Sequence, residues 1–159
     1  MGAPVIADFS AFGEQGASLV CEQDSSTFGS KYLHASMKKV LGRGTFGVVY
    51  LMEMPEGGLI VCKRCASDGL SQDEVYKLES EVRILASLSH PNIIGYIDAH
   101  RLHGHLDIFM EYAEGGSLQL AINSATTPFA SALVKRWLSQ LSSALQHCHA
   151  NLILHRDLK

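Results

Sequence analysis

The run Leu41-Gly42-Arg43-Gly44-Thr45-Phe46-Gly47-Val48-Val49 constrains this chain more than any other, because its G-x-G-x-x-G spacing leads directly into β-prone residues through Met52. Glycines so placed let backbone N–H groups close on an anion such as phosphate without obstruction by Cβ. A dinucleotide-binding fingerprint would open a helix, and a P-loop would end in Gly-Lys-Ser or Gly-Lys-Thr. Neither follows here. The run therefore predicts a turn between two antiparallel strands, with or without a ligand against it.

The surrounding pattern agrees. From Tyr32 to Lys63 come an approach to Val40 and Leu41, the glycine turn, the run Val48 to Met52, a Pro-Glu-Gly-Gly turn and the run Leu59 to Lys63, which together predict three antiparallel strands. The period then changes. Val75, Leu78, Val82 and Leu85 recur at helical spacing, and Ser71 with Glu74 forms a capping box, so one amphipathic helix is expected over residues 71–88. Ile93 to Ile97 and Leu106 to Tyr112 read as a fourth and fifth strand. Ala113-Glu114-Gly115-Gly116 behaves as a linker, and Ser117 to Asn123 could form a short helix. A longer helix follows, with Thr127 and Pro128 at N-cap and N1 positions and one face marked by Val134, Trp137, Leu138, Leu141, Leu145 and Cys148. No internal repeat is present.

Composition excludes several classes. With 159 residues, 47% of them apolar and 18% charged, the chain has the make-up of a globular domain with one sizeable core. Residues 1–30 hold four acids (Asp8, Glu14, Glu22, Asp24), no Lys or Arg and no sustained period, and read as a flexible acidic leader. All 13 basic residues come later, where acids nearly balance them, so no basic field of the kind nucleic-acid binding uses is present. The longest apolar run, Leu59 to Cys62, is far too short to span a bilayer. Ile6 stands where a myristoylation pattern wants Ser or Thr, and no secretory pattern opens the chain, so an intracellular location is expected, cytoplasmic or cytoskeleton-associated. Cys21, Cys62, Cys65 and Cys148 lack paired metal-site spacing and read as reduced structural thiols. His147 and His149, two apart on a helix, cannot face one metal, and His100, His103 and His105 surround a turn; all read as adventitious surface histidines.

Three further residues carry chemistry. Lys63 ends the third strand run, where an ammonium could pair phosphate oxygens or simply be solvated. Glu81 lies beside the stripe of Leu78, Val82 and Leu85, and a carboxylate on a seam facing a sheet needs a partner, for which Lys63 is the candidate. The chain closes on Ile153-Leu154-His155-Arg156-Asp157-Leu158-Lys159, where Asp157 could accept a proton from a substrate hydroxyl or sit in a solvated turn.

In order, the glycine loop, strand Lys, helix Glu, Glu-Tyr-Ala linker and His-Arg-Asp resemble the protein-kinase signature, an arrangement that serves phosphoryl transfer from a nucleotide. The resemblance covers residues 31–159. It is nearest to the NIMA-related serine/threonine kinases through LGRGTFGVVYL, VCKR, LSHPNIIGYIDAH, IFMEYAEGGSL and LILHRDLK. The resemblance implies an α+β fold. Residues 31–110 would form a small lobe of five antiparallel strands and one helix, and residues 111–159 the hinge and the first helices of an incomplete helical large lobe.

The same resemblance implies ATP as the nucleotide. Leu41, Val49 and Val61 would cover the adenine, and Gly42, Arg43, Gly44, Thr45, Phe46 and Gly47 the phosphates. Lys63 would contact the α and β phosphates and Glu81 would orient Lys63. Met110 would be the gatekeeper, with the Glu111 carbonyl and Ala113 backbone hydrogen-bonding the base. Asp157 would position or deprotonate the hydroxyl nucleophile, Lys159 would support the transferred group, and His155 would pack beneath the catalytic loop. Lys159 after His-Arg-Asp-Leu fits the serine/threonine pattern, so a protein with a Ser or Thr acceptor is the expected substrate. Val61 stands where the family often has Ala, and Ser117 replaces an acid that often contacts ribose. The 159 residues do not include the Asn and Asp-Phe-Gly that hold Mg2+ in the family, so a truncated domain inactive by itself is expected. The competing reading is a non-catalytic nucleotide-binding or protein-interaction module.

Overall fold

A computed structural model of the chain describes residues 32, 34–44, 47–102, 104–156 and 158. The leader over residues 1–30 lies outside them. The described residues form two compact units, one of residues 32–87 and 95–112, the other of residues 88–94 and 113–158.

In the first unit the chain runs β1 (Ser36–Gly44), β2 (Gly47–Glu53), β3 (Leu59–Ala66), α1 (Gln72–Ser87), β4 (Tyr96–Leu102) and β5 (His105–Glu111). The strands make one five-stranded antiparallel sheet in the order β1-β2-β3-β5-β4. The Pro-Glu-Gly-Gly turn closes through the Gly57 N–H on the Met54 carbonyl at 2.9 Å, with Gly57 and Gly58 at φ 89° and 93°, a region glycine enters without a Cβ penalty. α1 begins where the capping box places it. The Ser71 N–H donates to Glu74 Oε2 at 2.8 Å and the Glu74 N–H returns to Ser71 Oγ at 3.4 Å, satisfying donors that the first turn leaves without helical partners. The Ser71 bonds hold the Glu74 carboxyl below its usual range.

Alternation along the strands gives the sheet two faces. One carries Cys62 and Phe109, which with Met54 and Tyr32 form a buried cluster flanked by the partly buried Ala35, Tyr50, Met52 and Ile60. Tyr32, which precedes β1, stacks on Phe109 of β5 with ring centroids 4.0 Å apart and planes within 11°. Its short segment thereby crosses from the β1 edge to the far side of the sheet. Fully burying an aromatic side chain of this kind stabilises by about 1.5–3 kcal/mol. The other face carries Ile108 and Cys65, both fully buried, and α1 contributes Leu78 and Leu85 to the core.

The fourth strand departs from expectation. Pairing starts at Tyr96, not Ile93, because Ile93 and Ile94 are buried in a turn whose Ile93 N–H bonds the His90 carbonyl at 3.1 Å. An apolar dipeptide can pack without pairing, and periodicity does not separate the two outcomes.

The second unit holds α2 (Leu118–Ser124) and α3 (Ser131–Ala150). Ser117 caps α2, its Oγ accepting the Leu120 N–H at 3.2 Å. The long helix starts three residues later than Pro128 implies, with Ala130 at the N-cap and no side-chain cap bond. Phe129 instead leaves the helical path to meet Trp137 edge-on at 5.0 Å, which sets the entry of the chain into α3. Of the expected apolar face, Cys148 is buried, Trp137, Leu141 and Leu145 are half-buried, and Val134 and Leu138 are exposed; Ala144, outside that expectation, is buried and Leu133 is exposed. No helix among the described residues is long and apolar enough to cross a membrane.

Candidate functional site

Strand register collects several of the expected site residues on one face of the first unit. Val49 pairs Lys63, which pairs Ile108; Leu51 pairs Val61, which pairs Met110. Directly opposed residues of an antiparallel sheet point the same way, so Val49, Val61, Lys63 and Met110 form one patch across β2, β3 and β5. Val61 is buried and Val49 and Met110 are half-buried. Onto this face α1 brings Glu81, whose Oε1 accepts a hydrogen bond from Lys63 Nζ at 2.6 Å. With 18% and 14% of their side chains exposed, the two charges lie in a mostly desolvated gap where each is the other's compensation. The expected ion pair is formed.

The glycine run is the turn joining β1 and β2. Gly42 pairs Val49, Arg43 pairs Val48 and Gly44 pairs Gly47, so the two strands are antiparallel up to the last described residue on either side. Thr45 and Phe46 lie outside the described residues. Gly47 is required by close approach: at φ +150° a Cβ there would stand 2.0 Å from the Arg64 carbonyl oxygen of β3. At Gly42 and Gly44 a Cβ would meet nothing within 4 Å, which leaves open space for a ligand beside their backbone. Leu41 and Arg43 are exposed on the same strand.

Glu111 ends β5 opposite Ile60, and its side chain turns to the face that Ile60 shares with Cys62. There its Oε2 accepts the Gly95 N–H at 3.0 Å, while its own N–H donates to the Gly95 carbonyl at 2.8 Å. No periodicity signalled this contact. In the second unit Ala113 and His155 are buried, and Arg156 has φ 60°, a left-handed value uncommon outside glycine. Asp157 and Lys159 lie outside the described residues. Among the described residues no three His, Cys, Asp or Glu side chains are placed to hold a metal ion.

Sequence reasoning missed a second polar cluster, on the sheet face opposite Lys63. The Tyr32 hydroxyl donates to Asp98 Oδ2 at 3.4 Å, His100 Nε2 lies 3.3 Å from the same oxygen, and the Ala99 N–H donates to Oδ1 at 2.8 Å. Burial, reinforced by Asp98, pushes the Tyr32 phenol up to about 12. On that face too, Arg64 grips Asp107 with two bonds of 2.7 and 2.5 Å, an arrangement that raises its affinity for its proton. Burial also pushes the Cys62 thiol up to about 12 and raises that of Cys65, which keeps both protonated and unreactive. His147 is not the surface residue expected: it is half-buried in the second unit, its ring 5.2 Å from that of His90. The Tyr32–Asp98, Arg64–Asp107 and His90–His147 pairs join residues far apart in the chain, and only the folded sheet or helix brings them together.

Comparison with known proteins bears on this geometry. The family described as protein kinase domain matches residues 35–159. Mitogen-activated protein kinase kinase kinase 2 of Arabidopsis thaliana is 35% identical over 128 residues, which are 76% of this chain and 20% of that protein. Serine/threonine-protein kinase nekl-2 of Caenorhabditis elegans is 36% identical over 132 residues, 76% of this chain and 37% of its own length. Probable serine/threonine-protein kinase nek3 of Dictyostelium discoideum is 38% identical over 125 residues, 76% of this chain and 11% of its own length. The chain thus spans from about a tenth to somewhat over a third of these relatives.

Proposed function

The chain belongs to the protein kinase domain family, and on that premise we propose that it serves an ATP-dependent serine/threonine protein kinase of NIMA-related character. The observation that carries the reading is the Lys63–Glu81 ion pair on the face shared with Val49, Val61 and Met110, beside the glycine turn. A glycine run, a buried cation and an apolar patch are what a nucleoside triphosphate needs: donors and positive charge for the phosphates, flat apolar cover for the base. The relatives named as serine/threonine kinases support the acceptor class. Identities of 35% to 38% fall alike on the mitogen-activated kinase kinase kinase and on the two NIMA-related proteins, so the finer assignment rests on the motif resemblance.

In this reading Leu41, Val49 and Val61 enclose the adenine, and the Glu111 carbonyl and Ala113 backbone hydrogen-bond its edge. Backbone N–H groups from Gly42 to Gly47 and the Lys63 ammonium hold the phosphates, with Glu81 keeping the ammonium in place. Asp157 accepts the proton of a Ser or Thr hydroxyl as its oxygen bonds to the γ-phosphorus and the bond to the ADP oxygen breaks; Lys159 supports the charge that develops on the transferred group. Mg2+ belongs to this chemistry in the family, where a catalytic-loop Asn and an Asp-Phe-Gly hold it; these 159 residues include neither, and no step here is assigned to it. For that reason a polypeptide of these 159 residues is expected to transfer no measurable phosphate alone.

Radiolabelled ATP with a general acceptor protein tests the proposal, using this chain, its Asp157→Ala and Lys63→Met variants, and the chain continued by the remaining large lobe of a relative. Incorporation is expected only in the continued protein and should be lost when either substitution is carried into it. Incorporation that survives both substitutions overturns the assigned roles. Incorporation by the short chain that disappears in Asp157→Ala overturns its inactivity.

A further inference from the structure

We propose that the Glu111 carboxylate is a positioning residue for base recognition, fixing the residue-111 carbonyl by gripping the backbone N–H of Gly95. This rests on the reading above, in which that carbonyl accepts a hydrogen bond from the base. Two bonds join one residue to one partner: the Glu111 N–H donates to the Gly95 carbonyl at 2.8 Å, and the Gly95 N–H donates to Glu111 Oε2 at 3.0 Å. The second bond occupies a place where no sheet bond is available. The β4–β5 ladder is irregular between Tyr96 and Asp98, and Glu111 is the last residue of β5 before the chain leaves the sheet. Without the carboxylate, residue 111 would be tied on the β4 side by one main-chain bond.

Gly95 fits the same account. A Cβ at that position would lie 3.2 Å from Glu111 Oε2 and 3.6 Å from Glu111 Cβ, so a side chain at residue 95 competes with the carboxylate for its seat. Alternation excludes direct contact of the carboxylate with the nucleotide patch, because Glu111 shares the face of Ile60 and Cys62 while Val61, Lys63 and Met110 share the other. Its influence must pass through the backbone. A carbonyl held in one orientation accepts from the exocyclic amino group at C6 of adenine and repels the carbonyl oxygen that hypoxanthine carries there, so the clamp governs discrimination more than total affinity.

The experiment compares ATP and ITP, which differ only at C6 and the neighbouring N1 proton, by equilibrium binding to the whole chain and to its Glu111→Ala, Glu111→Gln and Gly95→Ala variants, with thermal unfolding recorded for each. In Glu111→Ala and Gly95→Ala, ATP binding is expected to weaken by about three- to tenfold with ITP nearly unchanged, the scale of one ordinary protein hydrogen bond. Glu111→Gln, whose amide oxygen can accept the same N–H, is expected to keep the ATP preference. Equal losses for ATP and ITP would mark a merely structural contact and overturn the inference, as would an unchanged preference in Glu111→Ala or a loss in Glu111→Gln as large as in Glu111→Ala. A wild-type chain that binds neither nucleotide, or both equally, overturns the reading itself, and the inference falls with it.

Discussion

The Lys63 ammonium donates to Glu81 Oε1 at 2.6 Å, which fastens the middle strand of the sheet to α1 through two side chains that are both more than four-fifths buried. Removing one partner strands the other in a gap with little water. Glu81→Ala is expected to destabilise the unit by about 2 kcal/mol, below the cost for a fully buried pair because some solvent reaches this one. The double variant Lys63→Met/Glu81→Leu should recover part of the loss, since an apolar pair needs no charge compensation. Urea midpoints of the three proteins decide it; a Glu81→Ala midpoint equal to wild type contradicts the account.

Two glycines of the same turn should respond unequally to alanine. At Gly47 the added Cβ meets the Arg64 carbonyl oxygen at 2.0 Å from a backbone at φ +150°, so Gly47→Ala is expected to cost about 3 kcal/mol or more. Gly42→Ala meets nothing within 4 Å and should stay within about 1 kcal/mol of wild type. Thermal unfolding of the pair measures the difference, and similar midpoints would refute it.

Alkaline pH should weaken the first unit in a defined window. Burial and Asp98 raise the Tyr32 phenol from 10.0 to about 12, and burial raises the Cys62 thiol from 9.0 to about 12. Both groups hold their protons more tightly when folded, so their contribution is fully present below about pH 9 and is lost as pH rises toward 12, where the unfolded chain has already released them. Tyr32→Phe removes one of the two titrations. Its unfolding midpoint should therefore fall less steeply than that of wild type between pH 10 and 12, and parallel curves would exclude the effect.

The outer face of α3 offers a further check. Leu138 is 58% exposed and Leu133 and Val134 are exposed beside it, so Leu138→Lys should change stability by no more than about 0.5 kcal/mol. Binding of a hydrophobic dye should fall in the same variant, because a contiguous apolar strip loses its centre. Unfolding at a much lower temperature would mean that Leu138 is packed.

Much of this architecture was legible from residue order, and the exceptions have physical reasons. Val75, Leu78, Val82 and Leu85 mark α1 by period, Ser71 and Glu74 mark its start by chemistry, and Lys63 finds Glu81 because a carboxylate on a buried seam must be compensated. Ile93 and Ile94 misled because apolar pairs bury equally well in a strand or a turn. Thr127 and Pro128 offered a plausible start to α3 that Phe129 overrode by packing on Trp137. The contacts of Glu111 with Gly95 and of Tyr32 with Phe109 and Asp98 leave no trace in periodicity, since they follow from which strands become neighbours.

Strand order also sets clocks. β3 has β2 on one side and β5 on the other, whereas β1 lies at the edge with two irregularities in its pairing. Amide hydrogens of Val61, Cys62 and Lys63 can exchange with solvent only when a neighbouring strand is shed, while those approaching the glycine turn can exchange by local fraying at far lower cost. The cation therefore keeps slow time and the edge strand keeps fast time, so β1 can fray and re-pair many times while the ammonium keeps its place.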